Sequence, residues 1–148
     1  MKRPMNSVYS VLIVIFGSLL CGCGGGVSDA PVLATVEGIV TWKGLPLAEA
    51  AVAFTPESGP IATGTTDAAG HFKLTTQGSE GAPIGSHRVT IQAYEAPPEG
   101  KPLVDDNGEP TYTPVSKIPK KYGNLNESGL EANVSAKGED NTFQFDLE

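Results

Sequence analysis

The sequence predicts an all-β fold, an antiparallel β-sandwich of about seven short strands, Ig-like or transthyretin-like in kind, preceded by a signal-peptide helix and a flexible tether. Three observations predict it. Apolar residues recur at every second position in several separate segments, the period of a strand with one buried face. Past the N-terminal apolar run, no segment sustains a 3.6-residue period. Turn formers divide the segments from one another, with 18 Gly and 12 Pro in 148 residues.

The elements follow in chain order. Lys2 and Arg3 precede an uncharged run from Val8 to Leu20, and Cys21-Gly22-Cys23 and three glycines come after it. At ~1.5 Å per residue this run spans about 20 Å as a helix, short of a ~30 Å hydrocarbon core, so it reads as an export signal rather than a permanent span. Leu20-Cys21-Gly22-Cys23 resembles the lipobox of bacterial lipoproteins, with Leu three places before the cysteine and Gly just before it. The resemblance implies that residues 1–22 are removed and that Cys23 is lipidated. Cys21 is the poorer site, because Leu20 would stand where a signal peptidase needs a small side chain. Removing 22 of the 148 residues leaves 126, and the loss of Lys2 and Arg3 takes the net charge from −7 to −9. No cysteine pair then remains, so the exported domain relies on its packed core. Residues 23–33, Gly-rich and then small and polar, read as the tether.

The domain proper is expected over 34–148. Val36, Val40 and Trp42 share one face of a first strand, with Glu37, Thr41 and Lys43 opposite. Gly44-Leu45-Pro46-Leu47 is expected to break that ladder, and Gly38 and Gly44 to mark bends. Val52 and Phe54 alternate with small residues in a second strand, and a third runs near Ile61–Thr66. In Thr66-Asp67-Ala68-Ala69-Gly70-His71-Phe72, Asp67 can accept backbone N–H bonds and Gly70 can take a positive φ, which reads as a hairpin turn. Phe72 and Leu74 share the next face. Val89, Ile91 and Ala93 alternate through the longest strand. Leu130, Ala132 and Val134, then Phe143, Phe145 and Leu147, form two closing strands around the turn Lys137–Asn141. Between the longest strand and these two, residues 95–128 hold most of the remaining prolines and form a long loop, the expected place for a binding surface.

The run Val36-Glu37-Gly38-Ile39-Val40-Thr41-Trp42-Lys43-Gly44-Leu45-Pro46-Leu47, with Ala50-Ala51-Val52-Ala53-Phe54 and Thr66–Phe72, resembles the carboxypeptidase regulatory-like domain family over about residues 35–94. The remainder, including Ile118–Gly123, Ser128-Gly129-Leu130 and Asn141–Leu147, looks like a group of small bacterial lipoproteins built on that domain. The resemblance implies an Ig-like or transthyretin-like sandwich without catalytic activity, since in carboxypeptidases this domain accompanies the zinc-containing catalytic domain and holds none of its ligands.

An acidic chain of pI near 4.8 lacks the clustered Lys and Arg that release counterions from nucleic acid, so DNA and RNA are excluded as partners. His71 and His87 stand on predicted strands without the spacing of a zinc site, and no metal or other cofactor is expected. No Gly-x-Ser-x-Gly elbow occurs, and the Tyr-Arg-Gly-Ser terminus of transthyretin-like hydrolases is replaced by Phe145-Asp146-Leu147-Glu148. Asp105-Asp106-Asn107-Gly108-Glu109 could offer oxygens to Ca²⁺, although Asn-Gly is itself a turn former. Lys43 and Asn141 are conceivable partners for an isopeptide bond of the kind found in Ig-like adhesin modules. For sugar stacking the aromatic candidates are Trp42, Tyr94, Tyr112 and Tyr122, with Trp42 better explained by core packing. Tyr112 and Tyr122, with Lys120 and Lys121 beside the latter, are the candidate ligand-binding residues. Lys117 completes this basic cluster, which could face lipid headgroups or an anionic polymer.

The expected protein is therefore a non-enzymatic lipoprotein of the bacterial cell envelope. It would be held to membrane lipid through Cys23 and would present a binding or structural module to an envelope protein or polysaccharide. The alternatives are a carbohydrate-binding surface module and, third, a small hydrolase.

Overall fold

The computed structural model describes residues 31–100 and 103–148; the signal segment and Cys23 lie outside the described residues. Pro31–Glu148 form one compact unit. It is all-β, with strands β1 (Leu33–Ala34), β2 (Glu37–Trp42), β3 (Leu45–Pro46), β4 (Ala51–Pro56), β5 (Ala62–Thr65), β6 (His71–Lys73), β7 (Thr75–Thr76), β8 (Ser79–Glu80), β9 (Ala82–Pro83), β10 (Gly85–Gln92), β11 (Leu130–Val134) and β12 (Thr142–Leu147). One sheet runs β11-β10-β4-β5-β7-β8. The facing sheet runs β12-β2-β3 with β6 also paired to β2, and β1 and β9 form a small third ladder.

The alternating residues meet between the two main sheets. Val36, Val40, Val52, Phe54, Phe72, Leu74, Val89, Ile91, Val134, Phe145 and Leu147 are all buried, and Trp42, Leu130 and Phe143 pack at the margin. Phe54 of one sheet is the hub. Its ring centroid lies 6.2 Å from Phe72, 5.5 Å from Phe143 and 6.1 Å from Phe145, the last two edge-on as aromatic quadrupoles favour.

Several local expectations change. Leu45–Pro46 does not end the first ladder but folds back on it. Lys43 (φ 51°) and Gly44 (φ 79°) make a two-residue turn with both φ positive, and Trp42 pairs with Leu45. Pro46 is tolerated because it sits in an edge strand. Gly38 is not a bend. It lies inside β2, where a Cβ would stand 2.3 Å from the Phe143 carbonyl oxygen and 2.7 Å from the Phe72 ring, so the missing side chain is what lets β12 and Phe72 close over the strand.

The Asp67–His71 turn has the expected chemistry but a different destination. Asp67 Oδ1 accepts the backbone N–H groups of Ala69 and His71, each at 2.9 Å, and the His71 bond above all holds its carboxyl below the usual carboxylate range. However, β5 and β6 do not pair as a hairpin. The Gly70 carbonyl accepts the Val40 N–H at 2.9 Å, which docks the turn on β2 and carries the chain into the facing sheet. It returns through Leu74, buried between β6 and β7, and Thr75 pairs with Thr63 in the first sheet. Such a corner strand joins two layers that a simple meander would leave separate.

One ladder is parallel: β12 pairs with β2 from Thr142↔Glu37 to Leu147↔Trp42. The connection after β11 crosses to the other sheet, so β12 enters beside the start of β2 and runs with it. Asn141 holds this crossing. Buried to 1%, it accepts the Ser135 N–H at 2.7 Å and donates to the Ser135 carbonyl at 2.8 Å and the Thr35 carbonyl at 3.2 Å.

Candidate functional site

The strand directions give the unit two poles. At one, the chain enters at Pro31, Ile84 N–H donates to the Val32 carbonyl, and β4 and β11 end. At the other, β10 ends and the 95–128 segment leaves it. Eight residues of β10 at ~3.3 Å each separate the two poles by about 26 Å.

The described residues of the 95–128 segment are built, not slack. Residues 115–117 extend the sheet as a partner for the chain after β10: Tyr94 bridges Ser116, Lys117 N–H donates to the Ala93 carbonyl and Glu95 N–H to the Val115 carbonyl, both at 2.8 Å. Farther out, Val104 bridges Pro110 around a tight turn in which Asp105 Oδ1 accepts the N–H groups of Asn107 (2.8 Å) and Glu109 (2.9 Å). Those bonds, the Glu109 one foremost, lower the Asp105 pKa and commit its carboxylate to shaping the turn. Leu103, Val104 and Val115 are exposed along this arm. The chain then returns through buried Ile118 and a 3₁₀ turn, Lys120–Gly123.

The candidate residues separate on this frame. Tyr122 is in the core, not on the surface. Its ring is 7% exposed, its hydroxyl is bonded to the main chain of Glu148, and Lys121 Nζ caps the ring at 4.7 Å from its centroid. It therefore has no free face for a sugar, and Lys121 is occupied with it. Tyr112 is half-buried on the arm and donates its hydroxyl to the Glu95 carbonyl at 2.9 Å, a bond that braces the arm. Lys117 lies 4.0 Å from Glu49. Lys120 remains, beside a cleft that sequence reasoning did not assemble. This cavity of about 210 Å³ is lined by Tyr94, Gln92, Ser116, Lys120 and Asn124, with Ile91 and Ile118 among its apolar residues. Tyr94 is 47% exposed, and its hydroxyl lies 3.4 Å from Gln92 Oε1. The signal available in the sequence was the i, i+2 pair Gln92 and Tyr94 on the outward face of a strand that runs straight into the loop.

The remaining chemistry-bearing groups lie apart from this cleft. His71 is exposed, 3.8 Å from Asp67, and with Glu37, Asp67 and Lys73 it lines an open cavity of about 600 Å³. His87 faces the core, 3% exposed and 5.8 Å from the Phe54 ring centroid. Its Nδ1–H donates to the Gly85 carbonyl at 2.9 Å, and the lone pair at Nε2 has no partner. Burial pushes its pKa below the ordinary histidine value. Lys43 and Asn141 stand at opposite ends of the β2–β12 ladder, which at ~3.3 Å per residue puts them about 20 Å apart and excludes an isopeptide bond between them. Trp42 packs against the core with Lys43 Nζ 4.9 Å from its ring centroid, as a packing residue would. Among the described residues no group of three or more His, Cys, Asp and Glu side chains is placed to hold a metal ion. No protein-family model, curated protein or solved structure matches this chain.

Proposed function

We propose that this is a lipid-anchored protein of the bacterial envelope, fastened through Cys23, whose β-sandwich is a non-catalytic recognition module of the carboxypeptidase regulatory-like kind. The observation that carries this reading is polarity. The chain enters the domain at one pole, eight residues after Cys23, while the arm and the Tyr94 cleft occupy the opposite pole. Anchored through Cys23, the domain would have its entry pole near the lipid surface and its far pole open to partners. On this reading Lys120 stands at the pole away from the anchor, which favours a partner over the anchoring membrane as what it faces.

The non-catalytic reading is supported by the placing of the two histidines, one exposed beside a carboxylate already engaged in shaping a turn and the other buried against Phe54. A carbohydrate-binding role is the second reading, favoured by the exposed Tyr94 ring in a polar cleft. Anchoring is tested by Cys23→Ala in the native host. The variant is expected to leave the membrane fraction and lose acyl labelling, and unchanged membrane association would contradict the proposal.

A further inference from the structure

We infer that the Tyr94 cleft is a subsite for one acid-bearing sugar ring, a hexuronate unit of a polysaccharide; this deepens the carbohydrate-binding reading above. Its size comes first. At about 210 Å³ it falls below the ~300–1,000 Å³ of pockets that enclose drug-sized ligands, and it opens on the surface, as a subsite along an extended polymer must.

Its chemistry comes second. Tyr94 offers a half-exposed aromatic face on which the C–H face of a pyranose can lie, and burying that face against apolar ligand surface contributes without directional demands. Around it stand an amide on Gln92 and another on Asn124, donors and acceptors of the kind that pair with ring hydroxyls, while the ammonium of Lys120 is left for a charged group. Ser116 is already committed, its hydroxyl donating to the Ile118 carbonyl at 2.7 Å, so it shapes the wall. Gln92 is held across the site by Gly123: its Nε2 lies 3.4 Å from the Gly123 carbonyl oxygen, and a Cβ at 123 would come within 3.0 Å of Gln92 Cγ.

Charge decides which sugar. The residues lining the cleft include one cation, Lys120, and no carboxylate, in a chain of net charge −7. A sugar carboxylate placed there gains a charge-assisted contact that a hydroxymethyl group cannot make.

The test is calorimetric titration of the full-length protein in detergent micelles with galacturonate, glucuronate and mannuronate oligomers, each beside its carboxyl-reduced counterpart. At least one uronate is expected to bind about 10-fold more tightly than its reduced form, a difference of about 1.4 kcal/mol. Tyr94→Ala should weaken both forms about 10-fold, whereas Lys120→Gln should abolish the preference and leave the reduced form's affinity intact. Lys137→Gln, at the entry pole, should change neither. Circular dichroism checks that each variant is folded, and Tyr94→Leu replaces Tyr94→Ala if the latter is not. Equal affinity for acidic and reduced oligomers, unaltered binding by folded Tyr94 variants, or no binding of any uronate would overturn the inference. Binding of the reduced oligomers without a preference for the acidic ones would overturn the inference alone, whereas absence of binding by either would overturn the carbohydrate-binding reading it rests on as well.

Discussion

The hydroxyl of Tyr122 both donates to the carbonyl and accepts the N–H of Glu148, each at 3.0 Å, so one side chain from the 95–128 segment closes the end of the last strand. The segment that carries the candidate site is thereby tied to the ladder that completes the sandwich, and its order depends on the core.

Tyr122→Phe keeps the packed ring and removes both bonds. Each such bond is worth ~0.5–1.5 kcal/mol, so the two together predict a loss of about 1–3 kcal/mol in unfolding free energy, read as a lower denaturant midpoint with an unchanged slope. Tyr122→Ala also leaves a cavity and should cost about 3–5 kcal/mol.

Asn141→Ala should cost about 3 kcal/mol. The amide satisfies main-chain groups of Thr35 and Ser135 where the chain changes sheets, and its loss leaves three part-buried polar groups without those partners. Thermal unfolding of the variant measures this directly.

Gly38→Ala should cost at least ~3 kcal/mol, because the new methyl group would meet both the Phe143 carbonyl and the Phe72 ring. Gly44→Ala finds open space and should cost less, through backbone strain at φ 79° alone. The order of the two midpoints is the readout.

His87 gives stability a pH dependence with a definite sign. Its folded pKa lies below the ordinary value of 6.5, so below that pH the unfolded chain binds the extra proton more readily. The neutral ring's contribution is fully present above pH 6.5 and falls as the pH drops toward the folded pKa. His87→Leu should flatten this part of the stability profile measured by urea titration at successive pH values. An equal slope in both proteins would contradict it.

The faces of the strands were legible from sequence because a half-buried strand writes its pattern at period two, and Val36, Val40, Phe54, Phe72, Val89 and Leu147 all point inward as that pattern requires. Turn chemistry was legible at Asp67 for the same local reason. Which strands pair was not. The Asp67–Gly70 turn looks identical whether β6 returns to β5 or crosses to β2, and the choice is made by the Val40–Gly70 bond between residues thirty positions apart. The candidate site suffered likewise. Tyr122 reads as an exposed loop aromatic until the fold brings it to Glu148, and the cleft of Gln92, Tyr94, Lys120 and Asn124 exists only once the chain after β10 pairs with Ser116.

Whether the domain is fastened through Cys23 is read from the N-terminal peptide of protein taken from native membranes, by mass spectrometry. A peptide that begins at Cys23 and carries lipid on its sulfur is expected; a peptide that runs through Cys23 with a free thiol would overturn the proposed anchor.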